Sequence, residues 1–468
     1  MNMKRITLSL FLSVVCCLTL CAQPKYIFFF IGDGMGCNEV MATEMFRAEM
    51  EGRIGTKRIC FTQFPFSGQL SNYSASNSIT DSSAAGTCLA SGVKTTNHNE
   101  GVDPDGKPAI SVAEQLHKMG WKVAVTSSVS IDHATPGAFY AHVKSRSDYY
   151  SIGCQLAETG YEFFGGAAFL GPMNKKDSTL PCVYELCEKN GYVFVHGIEE
   201  YPKYMNNDKL ILIQRHEGHD RTKSGAGMIP YALGRPNGSM TLAQIVETGL
   251  AHLGDEQPFF FMCEGGSIDW ACHTNDGGAM VREVEDFDNA VQVAYKFYLQ
   301  HPDETLILVT ADHETGGCAL GNSNYTLNLK LFSNQKVSIG TLNDHIRKLH
   351  KQHGKKLTWN HVMDVLTEDL GFYKGVEITA KEDAELRGLF KKMMSGKDKS
   401  VKTLYSEVDE LTNTAIRILN TKAKLGWTTK GHTASPVPIF SIGYNAAAFA
   451  GWHDNSEIAP LIMKTVGK

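Results

Sequence analysis

Asp33, Ser82, Thr135, Glu264, Asp269, His273, Asp312, His313 and His432 are carboxylates, hydroxyls and imidazoles, groups able to bind ligands and do chemistry, and they mostly follow predicted strands or begin predicted helices. Ser82 lies in Ile79-Thr80-Asp81-Ser82-Ser83-Ala84-Ala85-Gly86-Thr87, a polar entry followed by small residues that predict the first turns of a helix. A serine there has free backbone N–H groups and the positive end of the helix dipole beside its hydroxyl, which favour an anion such as phosphate. Taken alone, the segment better suits a helix that Asp81 or Ser82 merely caps, its small residues only packing closely. With seventeen histidines in the chain, any one of them is more often ordinary than a ligand, so the set carries the inference rather than a single member.

These residues need elements that bring them to one place. Residues 26–31 form a continuous apolar run suited to a buried parallel strand, and it ends in Gly32-Asp33-Gly34-Met35-Gly36. A helix is predicted over 112–119 and a strand over 123–126, leading to Asp132-His133-Ala134-Thr135-Pro136. A helix over 241–253 and a strand over 258–263 precede Glu264-Gly265-Gly266-Ser267-Ile268-Asp269. A helix over 279–299 precedes the strand 306–310, which runs into Ala311-Asp312-His313-Glu314. A strand returns at 437–443, just after Gly431-His432-Thr433. Alternation of this kind predicts an α/β fold with a predominantly parallel central sheet flanked by helices. Open sheets of that class place ligands at the carboxyl ends of their strands, where these residues fall. Residues 340–424 are charged, lysine-rich and helical in pattern, and are taken as an insertion before His432 within one catalytic domain over 23–468.

The chain has 468 residues, of which 43% are hydrophobic, enough for a large core. A formal net charge of -5 excludes a strongly basic nucleic-acid binder. Lys4 and Arg5, the apolar run 6–20 and Cys21-Ala22-Gln23 resemble a secretory signal peptide over 1–22, cleaved after Ala22. Export follows, to the periplasm or onward to the medium or outer membrane, with no transmembrane segment left after cleavage. A lipoprotein signal at Cys16, Cys17 or Cys21 fits less well, because Val15, Cys16 and Leu20 are poor small residues before such a cysteine. An odd number of cysteines remains beyond that segment, and Cys182 with Cys187 is the easiest local pair. Cys263, Cys272 and Cys318, though near proposed ligands, suit packing better than chemistry.

The nonapeptide around Ser82, with IGDGMG, HATP, KSR, EGGSID, VTADHETGG and GHT, resembles the metal-dependent alkaline phosphatases in motif order and spacing from Asp33 to His432. The resemblance implies an alkaline phosphatase-like fold and a phosphomonoesterase that holds two zinc ions and one magnesium ion. It assigns Asp269, His273 and His432 to the first zinc, and Asp33, Asp312 and His313 to the second, with Ser82 beside it. Asp33, Thr135 and Glu264 go to magnesium. Arg146, in Lys144-Ser145-Arg146, corresponds to the family's phosphate-binding arginine, whose planar fork holds two phosphoryl oxygens. Ser82 attacks phosphorus in line, a phosphoserine forms, and water releases phosphate. His133 replaces the aspartate of some members; it either reaches magnesium indirectly and biases the third metal, or simply packs. Trp270 stands where others carry lysine or histidine, which implies weaker product binding. Small phosphate monoesters are the implied substrates and a homodimer is compatible with the family. The competing functions are a phosphodiesterase or sulfatase of related metal chemistry, and a non-catalytic secreted metal- or phosphate-binding protein.

Overall fold

The apolar run Tyr26–Ile31 becomes β1, every residue of it buried, near the middle of a ten-stranded sheet. In this computed structural model residues 23–215, 220–322 and 324–468 are described, so the expected signal peptide at 1–22 lies outside the described residues, as do His216 and His219. The remaining strands of the sheet are β2 (Phe66–Ser71), β3 (Lys122–Ser130), β4 (Phe163–Ala167), β5 (Val193–His196), β6 (Leu210–Ile213), β7 (Phe259–Glu264), β8 (Thr305–Thr310), β9 (Val437–Gly443) and β10 (Gly451–Asp454). Their order across the sheet is β10-β2-β9-β8-β1-β7-β3-β4-β6-β5. All neighbours are parallel except β9, which runs antiparallel to both β2 and β8. Strands covered on both faces need apolar side chains at nearly every position, and β1, β7 and β8 have them.

Register decides where the chemistry sits. Ile31 at the end of β1 pairs with Glu264 of β7 and with Thr310 of β8, and Glu264 pairs in turn with Ser127 of β3. The three central strands therefore finish level, and the loops carrying Asp33, Glu264 and Asp312 leave from one edge. Helices α1 (Cys37–Met50), α2 (Ser82–Ser91), α3 (Ser267–His273) and α4 (Gly277–Tyr298) follow these loops or cover the sheet. Phe287 of α4 meets Phe30 of β1 edge-on at 6.0 Å. Phe28, Phe29 and Phe30 are fully buried, each contributing about 1.5–3 kcal/mol by leaving water.

Residues 339–423 hold helices α5 (Ile339–His353), α6 (Trp359–Leu370), α7 (Ala380–Met394) and α8 (Glu410–Ala423). A small hairpin, Ser400–Lys402 with Glu407–Asp409, precedes α8. Leu342, Ile346, Leu366, Leu386 and Leu419 point inward while Lys348, Lys351, Lys391 and Lys399 stay exposed, as an amphipathic pattern requires. Strands β2 and β10 and the short β4, β5 and β6 have no counterpart among the elements that the sequence predicts; β2 is half exposed, with a polar sequence that hides it. Cys182 and Cys187 are separate thiols, and Cys182 Sγ donates instead to the Arg221 carbonyl at 3.4 Å. Among the described residues no helix is long and apolar enough to cross a membrane.

Candidate active site

Ser82 opens α2 but does not cap it. The cap is Asp81, whose Oδ1 accepts the Ala84 N–H at 3.0 Å and whose Oδ2 accepts the Ser83 hydroxyl and the His98 N–H, each at 3.0 Å. The Ser82 hydroxyl is thus released from backbone duty, buried, and 3.2 Å from His313 Nε2. The small residues of α2 permit close packing; a Cβ on Gly86 would lie 3.4 Å from Thr135 Cα. Both loops are therefore held against one another.

Around Ser82 the carboxyl-edge loops bring the predicted ligands into overlapping clusters, in each of which one donor atom per residue lies within 4.8 Å of the others. They are Asp269, His273 and His432; Asp33, Asp269 and His313; and Asp33, His133 and Glu264. Asp312 completes the middle group, with Oδ2 3.1 Å from His313 Nε2 and Oδ1 accepting the N–H groups of Gly34 at 3.2 Å and His313 at 2.9 Å. Asp269, expected only in the first group, faces two of them. His133 contributes one of the donors of the third cluster, and Thr135 is buried in the same turn. Gly34 is needed here: at φ +71°, a Cβ would sit 2.9 Å from Asp269 Cα.

Hydrogen bonds fix which nitrogen faces inward. His273 Nδ1 donates to the Lys430 carbonyl at 2.6 Å, and His432 Nδ1 to the Thr80 carbonyl at 2.9 Å. The two Nε2 atoms then face each other at 3.2 Å, with Asp269 Oδ2 3.3 Å from that of His273. Lone pairs converging this way suit a shared cation. Thr315 Oγ1 donates to Asp269 Oδ1 at 2.5 Å and accepts from His313 Nδ1 at 3.2 Å, turning His313 Nε2 toward Ser82. A two-residue antiparallel pairing of His432 with Thr315 holds these ligands together across the chain.

Several buried atoms of this site have no hydrogen-bond partner among the described residues: both oxygens of Asp33, Glu264 Oε1, Asp269 Oδ2, Asp312 Oδ2, Thr135 Oγ1 and both ring nitrogens of His133. Buried polar groups of this number are ordinarily satisfied, and a cation satisfies oxygen and imine donors at once. Burial, then crowding by neighbouring carboxylates, pushes Asp33 and Asp312 well above the usual carboxylate range, and burial raises Glu264 to about 7. Burial also lowers His313, His432 and His133, the last to about 3, and so keeps neutral imidazole lone pairs available. The donor set fits divalent metal ions.

Arg146 lies beside the serine through its neighbour: Nη1 is 3.5 Å from Oδ2 of Asp81, the residue that caps α2. Its Nη2 donates to the hydroxyl of Tyr405 at 3.0 Å. Trp270, next to Asp269, stacks on the Tyr405 ring at 4.6 Å and 15°. Tyr405 and Thr315 are absent from the set that the sequence predicts. Thr315 was within reach, since it belongs to the VTADHETGG stretch; Tyr405 offered only an aromatic residue in a lysine-rich region far along the chain.

A family model for alkaline phosphatase matches residues 24–161 and 206–467, running through 339–423 and passing over 162–205, where β4 and β5 lie. Alkaline phosphatase 3 of Bacillus subtilis (strain 168) is 28% identical over 457 residues, covering 95% of this chain and 89% of that protein. The crystal structure of a cold-active alkaline phosphatase from the psychrophile Shewanella sp. matches with TM-score 0.77 at 26% identity, over 94% of this chain and 100% of that one. A variant of the alkaline phosphatase from the Antarctic bacterium TAB5, solved with Mg bound in its M3 site, matches with TM-score 0.65 at 23% identity, over 95% of this chain and 98% of that one. On a family match spanning most of its length, set upon a buried nest of cation donors around a free serine, this chain belongs to the alkaline phosphatase family and is a phosphatase.

Proposed function

We propose that the protein hydrolyses phosphate monoesters to an alcohol and inorganic phosphate through a phosphoserine on Ser82, with two zinc ions and one magnesium ion as cofactors. The observation that carries this is the freed Ser82 hydroxyl facing His313 Nε2 within a buried group of unsatisfied carboxylates and imidazoles. Asp269, His273 and His432 would hold the first zinc; Asp33, Asp312 and His313 the second; and Asp33, Thr135, Glu264 and His133 the magnesium. Bound there, the cations supply the positive charge that a serine alkoxide and a departing alkoxide both need. Ser82 gives up its proton as its oxygen bonds to phosphorus, and the ester bond opposite breaks. The leaving oxygen takes a proton and departs as the alcohol. Arg146 donates N–H groups to two non-bridging oxygens and orients the phosphoryl group. Water then attacks the phosphoserine, phosphate leaves, and Ser82 regains its proton. Export through the 1–22 leader to the periplasm and assembly as a homodimer belong to the same proposal.

Activity on a phosphate monoester, a phosphate diester and a sulfate ester, compared on one preparation, tests the substrate class. The monoester is expected to turn over faster than the other two by on the order of 10³-fold or more; faster diester or sulfate cleavage would reassign the enzyme. Inhibition by inorganic phosphate tests the two residues placed beside the phosphoryl group. Arg146→Ala is expected to weaken it by about 10- to 100-fold, the loss of a bidentate charge-assisted contact, and Trp270→Lys to strengthen it. An unchanged inhibition constant in either variant would remove that residue from phosphate binding.

A further inference from the structure

The segment 339–423 brings the side chain of Tyr405 to the site. Between the strands of its hairpin, the Thr403 N–H donates to the Ser406 carbonyl at 2.8 Å and the Ser406 N–H to Thr403 Oγ1 at 3.1 Å, closing a tight turn. Leu404 at that turn is 60% exposed, whereas Tyr405 turns inward. The Tyr405 ring stacks on Trp270, meets His273 edge-on at 5.4 Å and lies 5.6 Å from His133. Its oxygen accepts from Arg146 Nη2 at 3.0 Å, while Arg146 Nη1 faces Asp81 Oδ2 at 3.5 Å. One terminal nitrogen of the arginine fork is therefore hydrogen-bonded and the other stands at ion-pair distance from a carboxylate. Without such anchors a long side chain must be ordered anew each time an anion binds.

We infer that Tyr405 is a positioning residue: its hydroxyl, carried in on the 400–409 hairpin, holds Arg146 ready for the phosphoryl oxygens. This rests on the assignment of Arg146 to phosphate given above. The stack on Trp270 sets the height of the ring and belongs to the ring, not to the hydroxyl, which makes the two separable by substitution.

The test is a double-mutant cycle on the full metal-loaded protein, with Tyr405→Phe, Arg146→Ala and the pair together. Inorganic phosphate binding is followed by calorimetry, and monoester kinetics are followed alongside. Tyr405→Phe keeps the stacked ring and is expected to weaken phosphate binding by about five-fold, the loss of one hydrogen bond to a charged group, with KM rising by more than kcat falls. In the Arg146→Ala background the same change is expected to alter phosphate binding by less than about two-fold. Equal losses in both backgrounds would show that Tyr405 does not act through Arg146, and no loss, or tighter phosphate binding, by Tyr405→Phe would overturn the inference while leaving Arg146 in place. If Arg146→Ala itself leaves phosphate binding unchanged, the assignment beneath the inference falls and the inference falls with it. The melting temperature of each variant is measured so that a folding defect is not read as lost affinity.

Discussion

Ser82→Ala should lower monoester hydrolysis by on the order of 10³-fold or more while leaving the fold intact, because the substitution removes one reacting oxygen and nothing that the helix needs. The cap of α2 is made by Asp81 through the Ala84 N–H, and it survives the change. The lost contact is the 3.2 Å approach to His313 Nε2, inside a site where several buried polar atoms have no hydrogen-bond partner among the described residues. A melting temperature close to that of the parent, together with near-complete loss of turnover, is the expected pair of results. Labelled phosphate trapped by acid quench should appear on the parent and be missing from the variant. A variant that keeps most of its activity would rule out the serine as nucleophile and require direct attack by water. It would also return Ser82 to the modest role of a residue near a helix start, the alternative that the sequence left open.

Removal of divalent cations is expected to do more than stop catalysis. Asp33, Glu264, Asp269 and Asp312 are completely buried within one cluster, and Arg146 offsets only part of their mutual repulsion. A cation bound to the folded but not the unfolded chain adds stability of about 2.7 kcal/mol at a hundred times its dissociation constant. Exhaustive chelation should therefore abolish monoester hydrolysis and lower the melting temperature by several degrees, in line with the usual few degrees per kcal/mol in large domains. Zinc added back should restore most of the activity and magnesium the remainder, measured as separate titrations. Full activity after chelation, with no metal left by elemental analysis, would defeat the proposed cofactors. A loss of activity with no change in melting temperature would mean that the carboxylates tolerate one another without charge compensation.

Much of the site was legible because it depends on strand ends. The apolar runs of β1 and β8 are too continuous for a half-exposed strand, and each ends in a glycine or carboxylate-rich loop, so Asp33, Asp312 and His313 could be placed at a sheet edge before any pairing was known. The helix expected over 279–299 occurs at Gly277–Tyr298, and the strand expected over 258–263 at Phe259–Glu264, shifts no larger than the usual ambiguity at element ends. What escaped depends on contacts between distant parts of the chain. Whether Asp81 or Ser82 caps α2 is decided by which side-chain oxygen meets the Ala84 and His98 N–H groups, a matter of side-chain rotation that spacing does not encode. The inward nitrogen of His432 is set by the Thr80 carbonyl, and the partner of Arg146 is Tyr405, 259 positions later. Strands β5 and β6 are four residues each, too short to stand out from the apolar background without the neighbours they pair with.

The pairing of β9 bears on how β8 is kept from other chains. One flank of β8 is covered by residues near the carboxyl terminus, while its other flank is covered by β1 from the amino terminus. Without β9 the backbone of Leu306, Ile307, Leu308 and Val309 would lie along an open strand, the kind of surface on which stray chains join. The segment that shields this strand begins five positions after His432, so one short stretch of chain both carries a candidate cation donor and closes an exposed sheet edge.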